Sequence, residues 1–366
     1  MLFCPAPRGE SLEWPFEKLE SFERNSAIQD SRKWRPPTLL GMHAVLIGAT
    51  VALSVLICRA HLQAQSSSPE ARAVAFLARE VPRWKAENDC YSCHNNGDAA
   101  RALLVAAAAG LPTGEALDDT LAWLRRPDAW KDNKTQGGID DKALARVQFA
   151  AALAIAVDHG RAPRVSIRDA AALLVADQKD DGSFQLDTSQ SIGSPTTYGT
   201  TVATWLARRS LVAAADSQFG PAIVRADRWL RVASVATVLD ASAVVLGLDR
   251  SADGDAMSQR AKALETLRRG QAQSGGWGPY VTAAAEAFDT ALALMAMNTV
   301  RRAQLARPPM PDSDVDTVIA KGRGFLLSLQ AADGSWPETT RPSNQESYAQ
   351  RISTTGWALL ALMDTR

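Results

Sequence analysis

Three copies of one short pattern constrain this chain more than any other feature of it. Gln178-Lys179-Asp180-Asp181-Gly182-Ser183-Phe184, Gln271-Ala272-Gln273-Ser274-Gly275-Gly276-Trp277 and Gln330-Ala331-Ala332-Asp333-Gly334-Ser335-Trp336 all fit Q-x-x-[DS]-G-[SG]-[FW]. Each copy follows an amphipathic helical stretch and precedes a second one, in which Thr201, Thr290 and Thr355 align. In such a turn the glutamine and the aspartate can satisfy backbone groups left open at a helix end. Glycine supplies the reversal, and the aromatic ring packs beneath the loop. The pattern reads as a staple, with nothing catalytic in it. Extending the period both ways gives six helix pairs: 71–88 with 97–109, 114–126 with 141–157, 164–178 with 198–214, 219–232 with 235–248, 257–271 with 283–302, and 316–330 with 351–363. The second member is the more apolar, as in 102–109 and 149–156, and a helix apolar on most sides belongs inside. The spacing predicts an all-α fold, an (α/α)6 toroid of six helix hairpins in which inner helices are ringed by outer ones.

The third copy extends further back. Lys321-Gly322-Arg323-Gly324-Phe325-Leu326 and the ten residues that follow, to Trp336, resemble the QW motif of squalene-hopene cyclases, K/R-G-x-x-F/Y-L-x-x-x-Q-x-x-x-G-x-W. A similar repeat occurs in protein prenyltransferase β subunits. The resemblance covers about residues 70–366 and implies the toroid, but activity depends on the site grafted onto it. The family's cyclases protonate an isoprenoid with the middle carboxyl of D-x-D-D-T-A. The matching stretch here is Glu286-Ala287-Phe288-Asp289-Thr290-Ala291. Asp289 and Glu286 keep carboxylates and are the catalytic candidates, while Phe288 stands in the acid's place and cannot donate a proton. The zinc that prenyltransferases hold through Asp, Cys and His has no counterpart, because no Cys or His follows His159. Two other acidic stretches, Leu117-Asp118-Asp119-Thr120 and Asp312 to Thr317, are expected at outer-helix starts, where acids cap or face the helix dipole.

The chain's other motif is Cys90-Tyr91-Ser92-Cys93-His94, and its reading turns on compartment. Leu39 to Ile57 is nineteen residues without formal charge, long enough to span a hydrocarbon core. Arg32, Lys33 and Arg35 precede it and only Arg59 closely follows. The positive-inside bias therefore places the N-terminus in the cytoplasm and the body on the periplasmic side of the inner membrane. Cleavage near Leu62-Gln63-Ala64 would export the body equally. Cys4 and Cys58 lie before or at the edge of this segment, so Cys90 and Cys93 are the exported part's thiols and a disulfide framework is excluded. A structural zinc site would have only His61, His94 and His159 to add. C-x-x-C-H fits covalent c-type haem: two thiols form thioethers with the vinyl groups, and the next imidazole ligates iron. Cys90 and Cys93 are thus the expected haem c attachment sites and His94 the proximal ligand. His159, Met257, Met295, Met297 or an open position are the choices on the distal side. A redox dithiol is the competing reading of the pair.

The expected organisation is a disordered leader over 1–37, rich in proline (Pro5, Pro7, Pro15, Pro36, Pro37), then a transmembrane or signal helix over 38–58 and a linker over 59–69. The toroid follows over 70–366, with the cysteine motif in its first hairpin turn. Forty basic and forty acidic residues cancel, which leaves no electrostatic case for nucleic acid. Three functions fit. The first is a membrane-anchored, exported monohaem protein that transfers electrons to a redox partner protein or senses redox state. The second is a terpenoid-cyclase-like enzyme acting on a long apolar isoprenoid inside the ring. The third is a non-catalytic interaction module.

Overall fold

The computed structural model describes residues 68–133, 142–185, 198–305, 314–341 and 344–366. Among these, twelve α-helices follow one another in six pairs, an outer helix and then an inner one. They are α1 (Pro69–Asn88) with α2 (Ala100–Ala108), α3 (Asp118–Leu124) with α4 (Lys142–Asp158), and α5 (Arg164–Asp177) with α6 (Gly199–Ala213). The remaining pairs are α7 (Gly220–Val232) with α8 (Val238–Gly247), α9 (Gly254–Gly270) with α10 (Ala287–Leu305), and α11 (Val315–Leu329) with α12 (Tyr348–Asp364). A π-helical turn, Cys93–Ala99, leads into α2. Each expected pair is present, with ends shifted by a few residues. The leader, the membrane segment and most of the linker lie outside the described residues. Among the described residues no helix is long and apolar enough to cross a membrane.

The inner helices pack in sequence, α2 to α4 to α6 to α8 to α10 to α12, and α12 returns to α1, the π turn and α2, which closes the ring. They run side by side in the same direction. Asp98, just before α2, meets Gln148 of α4 and Ser353 of α12, while ten or so residues later Ala109, His159 and Met363 share one cavity. Alanine makes the tight inner ring feasible, and where α12 meets the π turn even alanine is too large. A Cβ on Gly356 would lie 2.9 Å from the Ala99 Cα.

The repeated turns show why the pattern recurs. The Gln178 amide donates to Gly182 O and to Ala222 O of α7, Gln271 to Gly275 O and Val318 O of α11, and Gln330 to Gly334 O and Pro69 O of α1, all at 2.8–3.0 Å. Each staple ties its own turn to the next outer helix, and the last ties the end of the chain to the beginning of the ring. The turn glycines have φ of +97°, +94° and +91°, and a Cβ there would meet the backbone of that next helix at 2.3–2.6 Å. Only glycine satisfies both conditions. Trp277 and Trp336 are fully buried, and each donates its indole N–H to a helix carbonyl, Leu267 O or Leu326 O, at 2.7 Å.

Their backbone N–H groups donate to Thr290 and Thr355. In the earlier copy Phe184 N–H donates to Thr204, not to the aligned Thr201, which instead donates to Asp240 at 2.7 Å. Residues three apart share a helix face, so periodicity alone could not separate these two threonines.

Candidate functional site

The cysteine motif lies between α1 and α2. Asp89 ends α1 in the left-handed conformation, Cys90 is buried and Cys93 half-buried, and no disulfide joins them. Polar pairs fasten this turn to the second outer helix and the loop beyond it, in place of the glutamine staple. Tyr91 N–H donates to Asn133 (3.0 Å), Asn133 donates back to Tyr91 O (2.7 Å), and Asn96 donates to Thr120 (2.8 Å). The Tyr91 ring stacks on Trp123 with centroids 4.3 Å apart, and its hydroxyl donates to Asp119. Burial, with Asp119 beside it, pushes the Tyr91 phenol up to about 12. The Ser92 hydroxyl accepts from His94 N–H and lies 3.2 Å from His94 Nδ1. Burial lowers the His94 imidazole to about 4, so it is neutral at ordinary pH, the form in which imidazole ligates a metal. Two thiols three residues apart and a neutral imidazole are a donor set that fits a covalent haem. Among the described residues no group of three or more His, Cys, Asp and Glu is arranged to hold a metal ion.

The distal candidates are dispersed. His159 and Met295 line a cavity at the far end of the ring, Met297 is buried within α10, and Met257 is exposed on α9. His159 lies eleven residues beyond Gln148, the residue level with Asp98, on the order of 16 Å further along the axis.

At the N-terminal ends of the inner helices the axis is filled. Tyr198, Phe288 and Trp357 pack ring to ring with centroids 5.8–6.5 Å apart, and Arg101 lies over Trp357 at 4.0 Å. Beside them Asp98 accepts from Gln148 (2.8 Å) and Ser353 (2.7 Å), and burial raises its pKa above the usual carboxylate value. Phe288, which replaces the acid in the sequence motif, is thus packed among these rings. Asp289 is buried one position on, where Arg341 donates to it at 2.6 Å and also reaches Glu286 at 3.2 Å. Burial pushes Asp289 up to about 8 against the pull of Arg341. The two catalytic candidates therefore come together, on an arginine from the loop before α12.

At the C-terminal ends the axis is open. A cavity of about 550 Å³ is walled by Val105, Ile155, Trp205, Met295, Trp357 and Leu360, with Arg101, His159, Arg209, Asp364 and Arg366 as its charged or polar members. A second, of about 600 Å³, shares Trp205, Arg209, Met295 and Asp364 with it and runs toward α8. Of these residues, sequence reasoning singled out only His159 and Met295. The overlooked signal was Arg101 itself, a full charge inside the apolar run Ala99 to Ala109.

No protein-family model matches the chain, and no curated protein matches it. Solved structures share its architecture at low identity. A UGL variant with dGlcA-Glc-Rha-Glc is 12% identical over 81% of this chain and 96% of its own, with a TM-score of 0.53. A polysaccharide lyase is 9% identical over 81% and 97%, with a TM-score of 0.52. A possible member of the GH105 family from Salmonella enterica is 11% identical over 74% and 82%, with a TM-score of 0.51. At these identities the likeness establishes the fold and leaves activity open.

Proposed function

We propose that the ring is a chamber for a long apolar molecule, which it binds and converts at the C-terminal ends of its inner helices. The observation that carries this reading is the cavity of about 550 Å³, open at one end, closed at the other by an aromatic plug, and walled by aliphatic and indole side chains. Such concave, mostly apolar sites with a few convergent polar groups are where small molecules bind. Proton donation from α10 forms no part of the reading, because Phe288 faces the axis and Asp289 faces Arg341. Geranylgeraniol and squalene, titrated into the full-length protein, should quench the fluorescence of Trp205 and Trp357. Replacing Leu360 by Trp should fill the cavity and abolish that response. Absence of binding, or binding indifferent to the filled cavity, would sink the reading.

A second reading rests on the first hairpin turn: Cys90 and Cys93 would hold a haem through thioethers and His94 would ligate its iron. Bound there, the group would supply one-electron transfer. The Cys90, Cys93 and His94 spacing, with Ser92 at His94 Nδ1 (3.2 Å), is what favours it. Export past the apolar segment 39–57 would place the turn where such attachment occurs. Protein produced with haem-attachment machinery should gain one haem in mass and a reduced α band, both lost on Cys93→Ala. An unchanged mass would remove this reading and leave the chamber standing.

A further inference from the structure

An apolar chamber leaves one of its own wall residues unexplained. Arg101 is 2% exposed, lines the cavity, and lies over Trp357 at 4.0 Å. Its Nε and Nη2 have no hydrogen-bond partner among the described residues. Elsewhere in the chain these same two atoms grip a carboxylate side-on: Arg146 holds Asp177 at 2.5 and 2.6 Å, and Arg231 holds Asp253 at 3.1 and 2.7 Å. Asp98 does not do this for Arg101. Its Oδ1 stands 3.7 Å from Nη2, beyond hydrogen-bonding distance, and its Oδ2 is taken by Gln148 and Ser353.

A guanidinium stays charged at every accessible pH, so burying one with no hydrogen-bonded anion is costly. The other acids at the cavity are occupied or at its rim. Asp364 accepts from Arg302 and Asn298, Arg366 donates to Glu70, and Asp158 lies 3.8 Å from Arg209. Helix dipoles explain arginines at the C-terminal ends of the inner helices, where carbonyls converge. They do not explain Arg101, the second residue of α2. Arg209, half-buried at the same cavity, is held below its usual value by burial and then by the charge of Arg101. Two guanidiniums line one largely apolar cavity with their nearest carboxylates at 3.7 and 3.8 Å, too far to hydrogen-bond, which makes a place suited to an anion.

Building on the chamber reading, we propose that Arg101 and Arg209 form an anion subsite. It takes the carboxylate or phosphate head of a single-chain amphipathic molecule whose tail lies along Val105, Ile155, Met295 and Leu360. The head supplies the direct hydrogen bonds that Asp98, ion-paired with Arg101 at 3.7 Å, does not, and the tail keeps water from the pair, which strengthens the contact.

The test is calorimetric titration of the full-length protein with dodecanoate, dodecyl phosphate and dodecanol. At least one of the two anions should bind ~10-fold or more tightly than the alcohol, and the tighter of the two identifies the head. Arg209→Gln should weaken anion binding ~10-fold while leaving dodecanol unchanged, and Arg101→Met should abolish the preference altogether. If Arg101→Met loses its thermal unfolding transition, Arg209→Gln alone decides. Dodecanol binding as tightly as both anions, or anion binding indifferent to Arg209→Gln, overturns the subsite and leaves the chamber intact. No binding by any of the three overturns both.

Discussion

The two ends of the ring are made from the same helices and handle burial in opposite ways. At the end where hairpin turns enter the inner helices, the axis is solid: Tyr198, Phe288 and Trp357 fill it, and Trp277 and Trp336 seal two turns with every indole and backbone donor used. At the other end the same helices surround two cavities, and arginines collect there. Dipoles explain part of this polarity. Asp98 and Asp289 sit at the starts of inner helices, where acids are favoured, and Arg302 and Arg366 near the ends, where cations are. The lesson is that stability and ligand access are divided along the axis. The repeated staple makes one end rigid enough for the other to stay hollow.

The sharpest way to break that division is to weaken the closed end. Trp336→Ala should cost ~3–5 kcal/mol, as deletion of a fully buried indole does, and it also leaves Leu326 O without its partner. Met363→Ala, on the half-buried cavity wall, should cost under ~1 kcal/mol in the same urea titration. Comparable losses at the two ends would mean that the hollow end carries the fold as much as the plug does. Next in size is ring closure. Gly334→Ala puts a Cβ 2.3 Å from Arg72 O at a φ of +91°, and should lower stability by about 1–3 kcal/mol. Gly324→Ala, within α11 and with nothing near its Cβ, should raise it by ~0.5–1 kcal/mol.

The closed end was legible in the sequence because its physics is local and repeated. Glutamine, glycine and an aromatic at fixed spacing mark a turn wherever they occur, and three copies fix the period. One misreading there, Thr201 for Thr204, lies within a single helical turn. The open end was not legible. Its residues come from α2, α4, α6, α10 and α12, more than 250 positions apart in the chain, and none carries a motif. Asp289 and Glu286 could be picked out by resemblance, but that Arg341 would join them could not, because it comes from a loop with no pattern of its own. The cysteine motif was the most visible feature of all, and its turn turns out to be fastened by Tyr91, Asn96 and Asn133, residues that no spacing rule marks.

Smaller effects separate the ends by pH and by salt. Asp289 has its pKa pushed up to about 8 by burial, from an ordinary 3.8, so between those values the folded chain keeps a proton that the unfolded chain releases. The folded state is therefore favoured by this group at low pH, and that contribution is lost as pH rises toward 8. Wild type should lose urea resistance between pH 5 and pH 8 more steeply than Asp289→Asn; parallel curves would mean that Arg341 keeps the carboxylate charged throughout. The open-end pair Arg302–Asp364, at 2.9 Å with 58% and 24% of the side chains exposed, has no such burial behind it. Arg302→Gln should cost no more than ~0.5 kcal/mol, and raising the salt to about 1 M should erase even that, because exposed pairs are weak and screened. A larger, salt-resistant loss would show that the rim of the cavity is electrostatically tied to the buried arginines beneath it, and that the two ends are not divided by charge in the way their geometry suggests.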